Sequence, residues 1–452
     1  MEQIAERRIL ISGGSILTMD PSLGDFRRGD ILVERGKIVE VSPRIDATEA
    51  DRIDASNCIV LPGFVDTHRH TWQSVLRHRM GDADFQGYGR TMLRTFGPLY
   101  SPDDIYIGNL VGAVSAIAAG TTTMLDWSHA LNTPNHADAA ITALRDSGFR
   151  AIFAYGYPRL DAPSWTVESI RPHPEDIVRV RREVLSSDDA LVTLAMAGRG
   201  PEMTSMEVVR QDFALARELG IRISMHVGTN GLGPRFRAIE KMDEARLLGQ
   251  DLTLIHLCDS SDHELAIMAE CGVSASVGAQ CEMSMNGVGI PAVARLMTAG
   301  IRPSLSGDTE TCGSGDMFTQ MRFALASQRL LSGNGFESGP GVTLKVRDVL
   351  EFATIVGAKA NGLGGRIGSL TVGKDADIIL VRHSDLNLMP LGDPVGAIVL
   401  GAHPGNVDTV LVRGKVLKSG GKMIGFDVDD LFQRACTSRD RLLNAANAVA
   451  QQ

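Results

Sequence analysis

Apolar and polar positions along the chain follow two different rhythms. Through the first 58 residues the apolar positions fall in short β-rich runs at 8–11, 15–18, 29–34 and 37–41, interrupted by Gly13-Gly14, Arg35-Gly36 and Pro43. Runs of this length bounded by turn residues predict strands. Runs of the same character return far downstream, at 376–382, 395–400, 409–413 and 415–417. The two sets together predict a small β-sandwich built from both chain ends. Between them lie eight apolar strand candidates, at 59–70, 120–128, 150–157, 190–198, 222–229, 252–259, 274–281 and 302–309. Helical stretches separate most of them. Ser101-Pro102-Asp103-Asp104, for example, offers an N-cap, a proline at the first helical position and acidic residues in the first turn. Strands alternating with helices predict a parallel α/β fold, and eight of them most simply close into a (β/α)8 barrel with its chemistry at the strand C-terminal ends.

The expected organisation is therefore an N-terminal sandwich part over 1–58, a barrel over 59–367, a second sandwich part over 368–426 and a C-terminal segment over 427–452 that carries a surface helix at 427–448. Residues 77–100, rich in Gly and Arg, follow the first barrel strand as a flap over the mouth.

Composition narrows the function classes. Apolar residues make up 44% and charged residues 22%, as in ordinary globular proteins. A net charge of −9 with no Lys/Arg-rich run argues against a nucleic-acid partner. No apolar run approaches the ~20 residues that span a bilayer, and the first ten residues lack a signal-peptide pattern. Six cysteines without Cys-x-x-Cys spacing read as reduced thiols of a cytoplasmic protein.

The candidate chemistry sits at the strand ends. In a strand, residues two apart share a face, so His68 and His70 project together. Alone they would make only a pair of loop histidines, but His226, His256 and Asp308 fall near the ends of strands five, six and eight. Four of the chain's eleven histidines thus meet on one expected rim, and nitrogen and carboxylate donors with an open position compose a catalytic Zn2+-type site. Trp72 and Gln73 follow directly and are candidates to line the pocket, although Trp72 equally suits packing of the next helix. Glu282, just past strand seven, is a candidate for meeting a substrate cation or supplying an acid, against a solvated loop position. His129 faces either the mouth or a loop. His78, His136, His173, His263, His383 and His403 are expected on the surface, and Cys258 and Cys312 as small buried thiols.

The run Pro62-Gly63-Phe64-Val65-Asp66-Thr67-His68-Arg69-His70, followed in order by His226, His256 and Asp308, resembles the amidohydrolase superfamily. The composite sandwich and the phrase Gly368-Ser369-Leu370-Thr371-Val372-Gly373-Lys374-Asp375-Ala376-Asp377 are similar to its cytosine deaminase and triazine hydrolase branch. The resemblance covers nearly the whole chain. It implies that His68, His70, His226 and Asp308 bind one metal and that His256 hydrogen-bonds the activated water or the substrate. Binuclear members carry a carboxylated lysine at the end of strand four, where this chain reads Ala195-Met196-Ala197-Gly198, so one ion is expected. Deaminases of the branch place a glutamate three residues after the strand-five histidine, and here that position is Thr229, followed by Asn230.

The expected activity is metal-dependent hydrolysis of a non-peptide C–N bond in a small amide, urea or carbamate. Asp308 would carry the water's proton to the leaving nitrogen, and His256 would stabilise the developing oxyanion. Thr229 joins Trp72, Gln73 and Glu282 among the substrate-binding candidates. The alternative is deamination of an aminated heterocycle (purine, pyrimidine or triazine) with Glu282 in place of the missing glutamate. A non-catalytic scaffold is a third reading. The expected cofactor is one Zn2+ per chain, with Fe2+, Mn2+ or Co2+ also compatible with the donors. The expected partners are a small-molecule substrate and further copies of the chain in a homo-oligomer, with no nucleic acid and no membrane.

Overall fold

The computed structural model describes residues 8–333 and 343–450. The first ten residues, read for a signal peptide, are described only from Arg8 onward; residues 334–342 of the expected barrel segment and the last two residues of the C-terminal segment also lie outside the described residues.

Two sheets organise the chain. The N-terminal part supplies β1 (Arg8–Ile16), β2 (Phe26–Glu34), β3 (Lys37–Ser42), β4 (Asp51–Asp54) and β5 (Cys58–Pro62). The barrel strands are β6 (Phe64–Arg69), β7 (Thr121–Ser128), β8 (Arg150–Tyr155), β9 (Val192–Gly198), β10 (Arg222–Val227), β11 (Leu252–His256), β12 (Ser274–Val277) and β13 (Ser304–Leu305). The C-terminal part adds β14 (Ile378–Arg382), β15 (Val407–Val412), β16 (Lys415–Ser419) and β17 (Lys422–Met423). Among the described residues the chain ends form one nine-stranded mixed sheet in the order β17-β16-β15-β14-β5-β1-β2-β3, with β4 against β1. Residues from both ends, among them Ile9, Ile31, Val60, Ile378 and Leu411, close over one apolar core.

The eight barrel strands are parallel and consecutive. Strand β13 returns to β6 through the backbone of Asp308, whose N–H donates to His68 O at 3.0 Å and whose carbonyl accepts from His70 N at 2.8 Å. Inside, Thr67 Oγ1 lies 2.8 Å from both Ser276 Oγ and Ser304 Oγ, so three strands share a hydroxyl cluster that satisfies these buried polar groups. The α/β barrel with a composite β domain is therefore the architecture.

The structure corrects several boundaries. Residues 59–70 are two strands, not one: the chain breaks at Gly63, and the sheet's N-terminal share runs to Pro62 instead of stopping at residue 58. A Cβ at Gly63 would lie 2.1 Å from Thr122 Cγ2, so this crossing between sheets needs glycine. The run at 8–11 and the start of the run at 15–18 belong to a single strand that ends at Ile16. Residues 395–400 are helical: Asp393 accepts hydrogen bonds from Val395 N and Gly396 N, and Pro394 starts the turn. A short apolar run of this kind is equally a buried helix face, which hydrophobic pattern alone does not separate from a strand. Six of the eight barrel strands end earlier than expected, β12 and β13 by four residues each, and the end at Leu305 leaves Asp308 on the loop beyond.

The helix Pro102–Ala118 begins with the expected capping box between Ser101 and Asp104. Residues 77–100 form short helical turns, and their Phe85, Tyr88 and Leu93 reach the barrel mouth. The last helix, Val428–Ala450, packs on Pro102–Ala118, with Ser438 donating to Asp104 Oδ1 at 2.7 Å. Among the described residues no helix is long and apolar enough to cross a membrane. All six cysteines are free thiols.

Candidate active site

Strand alternation delivers the first two histidines together, while Arg69 between them turns the other way and donates through Nε to Asp66 Oδ2 at 2.8 Å. His226 comes from β10, His256 is the last residue of β11, and Asp308 follows β13 by three positions. His256 and Asp308 take positive φ, at 73° and 52°. A left-handed backbone at a non-glycine residue costs ~1–3 kcal/mol, and here it turns both side chains into the mouth.

These five groups converge. His68 Nε2 lies 3.2 Å from His226 Nε2 and 3.3 Å from Asp308 Oδ1, and His70 Nε2 lies 3.5 Å from the same oxygen. Two overlapping sets, His68/His226/His256 and His68/His70/Asp308, each bring their ligand atoms within 4.8 Å of one another. The tautomer of His70 follows from its other nitrogen, which lies 3.0 Å from the Trp127 carbonyl and must donate to it, leaving Nε2 with a lone pair. Burial and the neighbouring His68 push His70 down to about 3, and burial with the adjacent rings lowers His226 and His68. Burial pushes Asp308 up, but the hydrogen bond with His68 and the flanking imidazoles outweigh it and hold the carboxylate well below its usual range. Neutral ring nitrogens facing one another beside an ionised carboxylate repel unless a cation lies between them. The cluster is therefore able to hold a divalent metal, and three nitrogens with one oxygen are a zinc-type donor set.

His256 differs from the other three. Its Nδ1 lies 3.0 Å from Glu282 Oε1, which also accepts from Gly278 N at 2.8 Å. Burial lowers the imidazole, but the Glu282 hydrogen bond and the carboxylates of Asp308, Glu282 and Glu202 raise it overall. Glu282 is not solvated at a loop start. It lies buried in the turn Ala279–Ser284 behind His256, away from the cavity.

The cavity above the cluster is walled by Phe85, Tyr88, Trp127, Tyr157, Met203 and Met285, with His129, Arg159, Glu202, Thr229 and Thr309 among its polar members. Thr229 lies in the cavity wall. Trp72 does not: fully buried, it packs edge-on to Tyr100 and donates to His129 Nδ1 at 3.3 Å. Gln73 is a layer back as well, donating to the Tyr88 hydroxyl at 2.7 Å and accepting from Thr309 Oγ1 at 2.6 Å. It positions two cavity residues without lining the cavity itself. His129 faces the mouth, its ring 4.3 Å from that of His70. His136 and His173, expected on the surface, are both buried; His136 Nε2 lies 2.9 Å from the Tyr100 carbonyl. Arg159 and Glu202 escaped the sequence reading, although each lies within a few residues of a strand end, the position that marks this fold's chemistry.

Barrel and cluster define a metal-dependent hydrolase, and the chain belongs to the amidohydrolase family, whose model matches residues 59–417. It is 27% identical to the 5'-deoxyadenosine deaminase of Methanosarcina acetivorans over 450 residues, 97% of this chain and 99% of that one. It is also 27% identical to the 5-methylthioadenosine/S-adenosylhomocysteine deaminase of Symbiobacterium thermophilum over 459 residues, 96% of this chain and 99% of that one. Among solved structures, an adenosine deaminase from Xanthomonas campestris with bound zinc superposes with a TM-score of 0.82 at 21% identity, covering 97% of this chain and 99% of that one. A triazine hydrolase variant superposes with a TM-score of 0.84 at 20% identity, covering 96% and 100%. The protein is thus a metal-dependent hydrolase acting on carbon–nitrogen bonds other than peptide bonds, and the scaffold reading falls.

Proposed function

We propose that this hydrolase is an aminohydrolase that releases ammonia from an aminated heteroaromatic ring. The observation that carries the reading is the cavity wall. Aromatic rings and thioethers surround a ligand-binding cluster at one end, which suits a flat π-system presented edge-on to the reacting groups. The deaminases among the relatives support it. The preference for an amide, urea or carbamate rested on the absence of an acid after His226. That absence no longer argues for it, because the cavity contains a second carboxyl, Glu202, from another loop.

His68, His70, His226 and Asp308 would hold the ion, zinc by its donor set. When bound, such an ion lowers the pKa of a water from ~16 towards ~7, which makes a nucleophile available at neutral pH. Asp308, kept ionised, accepts that water's proton and returns it to the departing nitrogen. His256, with Nδ1 committed to Glu282, presents Nε2–H to the oxygen that develops on the attacked carbon. Six free thiols fit a reducing, cytoplasmic setting, and a homo-oligomer remains part of the proposal.

The test is a screen of aminated purines, pyrimidines and triazines beside aryl amides, ureas and carbamates, with the released amine identified. Ammonia from a heterocycle is the expected result. Turnover confined to amides or ureas would overturn the proposal.

A further inference from the structure

Two carboxyl groups line the cavity, and their surroundings differ. Asp308 lies among the imidazoles, its Oδ1 3.3 Å from His68 Nε2 and 3.5 Å from His70 Nε2, beside the water it would deprotonate. Glu202 lies on the loop that leaves β9, 9% exposed, and no cationic side chain pairs with it among the described residues. Its one hydrogen bond among the described residues is to the backbone: Gly228 N donates to Glu202 Oε1 at 2.8 Å. Gly228 follows His226 by two residues, so the carboxyl is tied to the strand end that supplies one of the ring nitrogens of the cluster. The tie is rigid. Gly228 has φ 70°, and a Cβ there would lie 2.4 Å from Ser260 Oγ.

The reaction needs such a group. When hydroxyl adds to a ring carbon, the C=N electron pair moves onto the ring nitrogen, and that nitrogen must gain a proton. Thr229, which also faces the cavity, is too weak an acid near neutral pH, Asp308 is committed to the water's proton, and His256 faces the oxygen. Glu282 is turned away behind His256. Building on the aminohydrolase reading, we infer that Glu202 is the general acid of the reaction, donating its carboxyl proton to the ring nitrogen beside the attacked carbon.

The step balances. Water gives one proton to Asp308, and its oxygen bonds to carbon while the ring nitrogen takes the Glu202 proton. In the second half, Asp308 passes its proton to the amino group, and the C–N bond breaks with its electrons leaving on ammonia. The added hydroxyl then returns its proton to Glu202 as the carbonyl forms. One water is consumed, one ammonia is released, and both carboxyls regain their starting states. The surroundings of Glu202 favour the acid form that this role requires. Burial pushes it up to about 7; the Gly228 N–H and the His256 imidazole act downward, and the Asp259 and Glu264 carboxylates act upward.

The test is Glu202→Gln in the metal-loaded protein, assayed with the C–N compounds that the wild type turns over. Gln still accepts the Gly228 hydrogen bond, so a purely structural role survives the change. The expected result is a ~10²–10⁴-fold fall in kcat with metal content and Tm unchanged, the scale of general acid catalysis. The alkaline limb of the wild-type pH profile should also disappear, because the wild type loses rate as the donor deprotonates. Ammonia release from a heterocycle with kcat in the variant within a few-fold of wild type would overturn the inference and leave the aminohydrolase reading intact. Wild-type turnover of amides or ureas alone would overturn that reading, and the ring-nitrogen donor with it.

Discussion

Strand β8 carries an arginine near each end, and the two are treated oppositely. Arg150, at the N-terminal end, is buried with every charge matched. It donates from Nε to Asp377 Oδ2 at 2.8 Å and from Nη2 to Asp375 Oδ2 at 2.9 Å, and Lys37 reaches Asp375 from the sheet. Arg159, four residues beyond the C-terminal end, is buried to a similar degree but has no carboxylate partner among the described residues. Its Nε donates to the His129 carbonyl at 2.9 Å, its guanidinium lies 5.3 Å from the Tyr157 ring centroid, and burial pulls it down to about 10. The contrast separates the two faces of the barrel. On the lower face charges are saturated, which fixes the composite sheet to the barrel. On the upper face an arginine, a glutamate and several imidazoles are left open towards the cavity. Buried groups are normally paired, so unpaired ones gathered at one rim mark where a ligand completes the set.

Substitutions should split along the same line. The largest effect is expected at Asp308→Asn, which keeps the size and an oxygen but cannot accept a proton. Activity should fall ~10²–10⁴-fold while circular dichroism and Tm stay near wild type. A fall of only a few-fold would place the base elsewhere. Arg150→Met should behave in reverse. It leaves the buried Asp377 without a cationic partner among the described residues, while Lys37 and Arg366 still reach Asp375, so urea denaturation should show about 3 kcal/mol less stability, with kcat per folded molecule unchanged. Loss of kcat without loss of stability would erase the distinction between the faces.

Glu202 allows a subtler test in metal-free protein, read by thermal denaturation. Its folded pKa, about 7, exceeds the unfolded value of 4.5, so the native state holds the proton more tightly. Its contribution is fully present below about 4.5 and is lost as pH rises through about 7, amounting to at most ~3 kcal/mol. Wild type should lose this component between pH 4.5 and 8, and Glu202→Gln should not. The smallest effect is expected at Arg159→Met. KM should rise ~10-fold or more if the guanidinium meets the substrate, the scale of a charge-assisted hydrogen bond. Tm should hold or rise, because an unpaired buried cation is removed. An unchanged KM with a lowered Tm would make Arg159 a structural residue like Arg150.

How much of this was legible in the sequence depended on whether local rules decide the feature. His68 and His70 were readable because strand alternation is a local rule, and the barrel because apolar strands and helices alternate over a long stretch. The break at Gly63 was signalled by Pro62-Gly63, a turn dipeptide hidden inside an otherwise continuous apolar run. The helix replacing the expected strand at 395–400 depends on Asp393 capping a segment whose pattern suits either structure. Glu202 and Arg159 were not legible because nothing local says that a charged loop residue lacks a partner; that requires knowing which side chains surround it. Glu282 shows the converse. It was marked for its charge, but its Oε1 is drawn behind His256 by Gly278 N and the imidazole, so it acts through another residue. The buried His136 and His173 were misjudged for the same reason, since helical and loop positions in a large chain are often covered by neighbouring elements.

The central claim is that one cation, held by His68, His70, His226 and Asp308, enables hydrolysis at the upper face. Titrating metal-stripped protein with Zn2+ and following product release tests it most directly. Activity should be absent without metal, rise linearly and stop at one equivalent per chain. A plateau at two equivalents, or full turnover by protein shown to contain none, would contradict it.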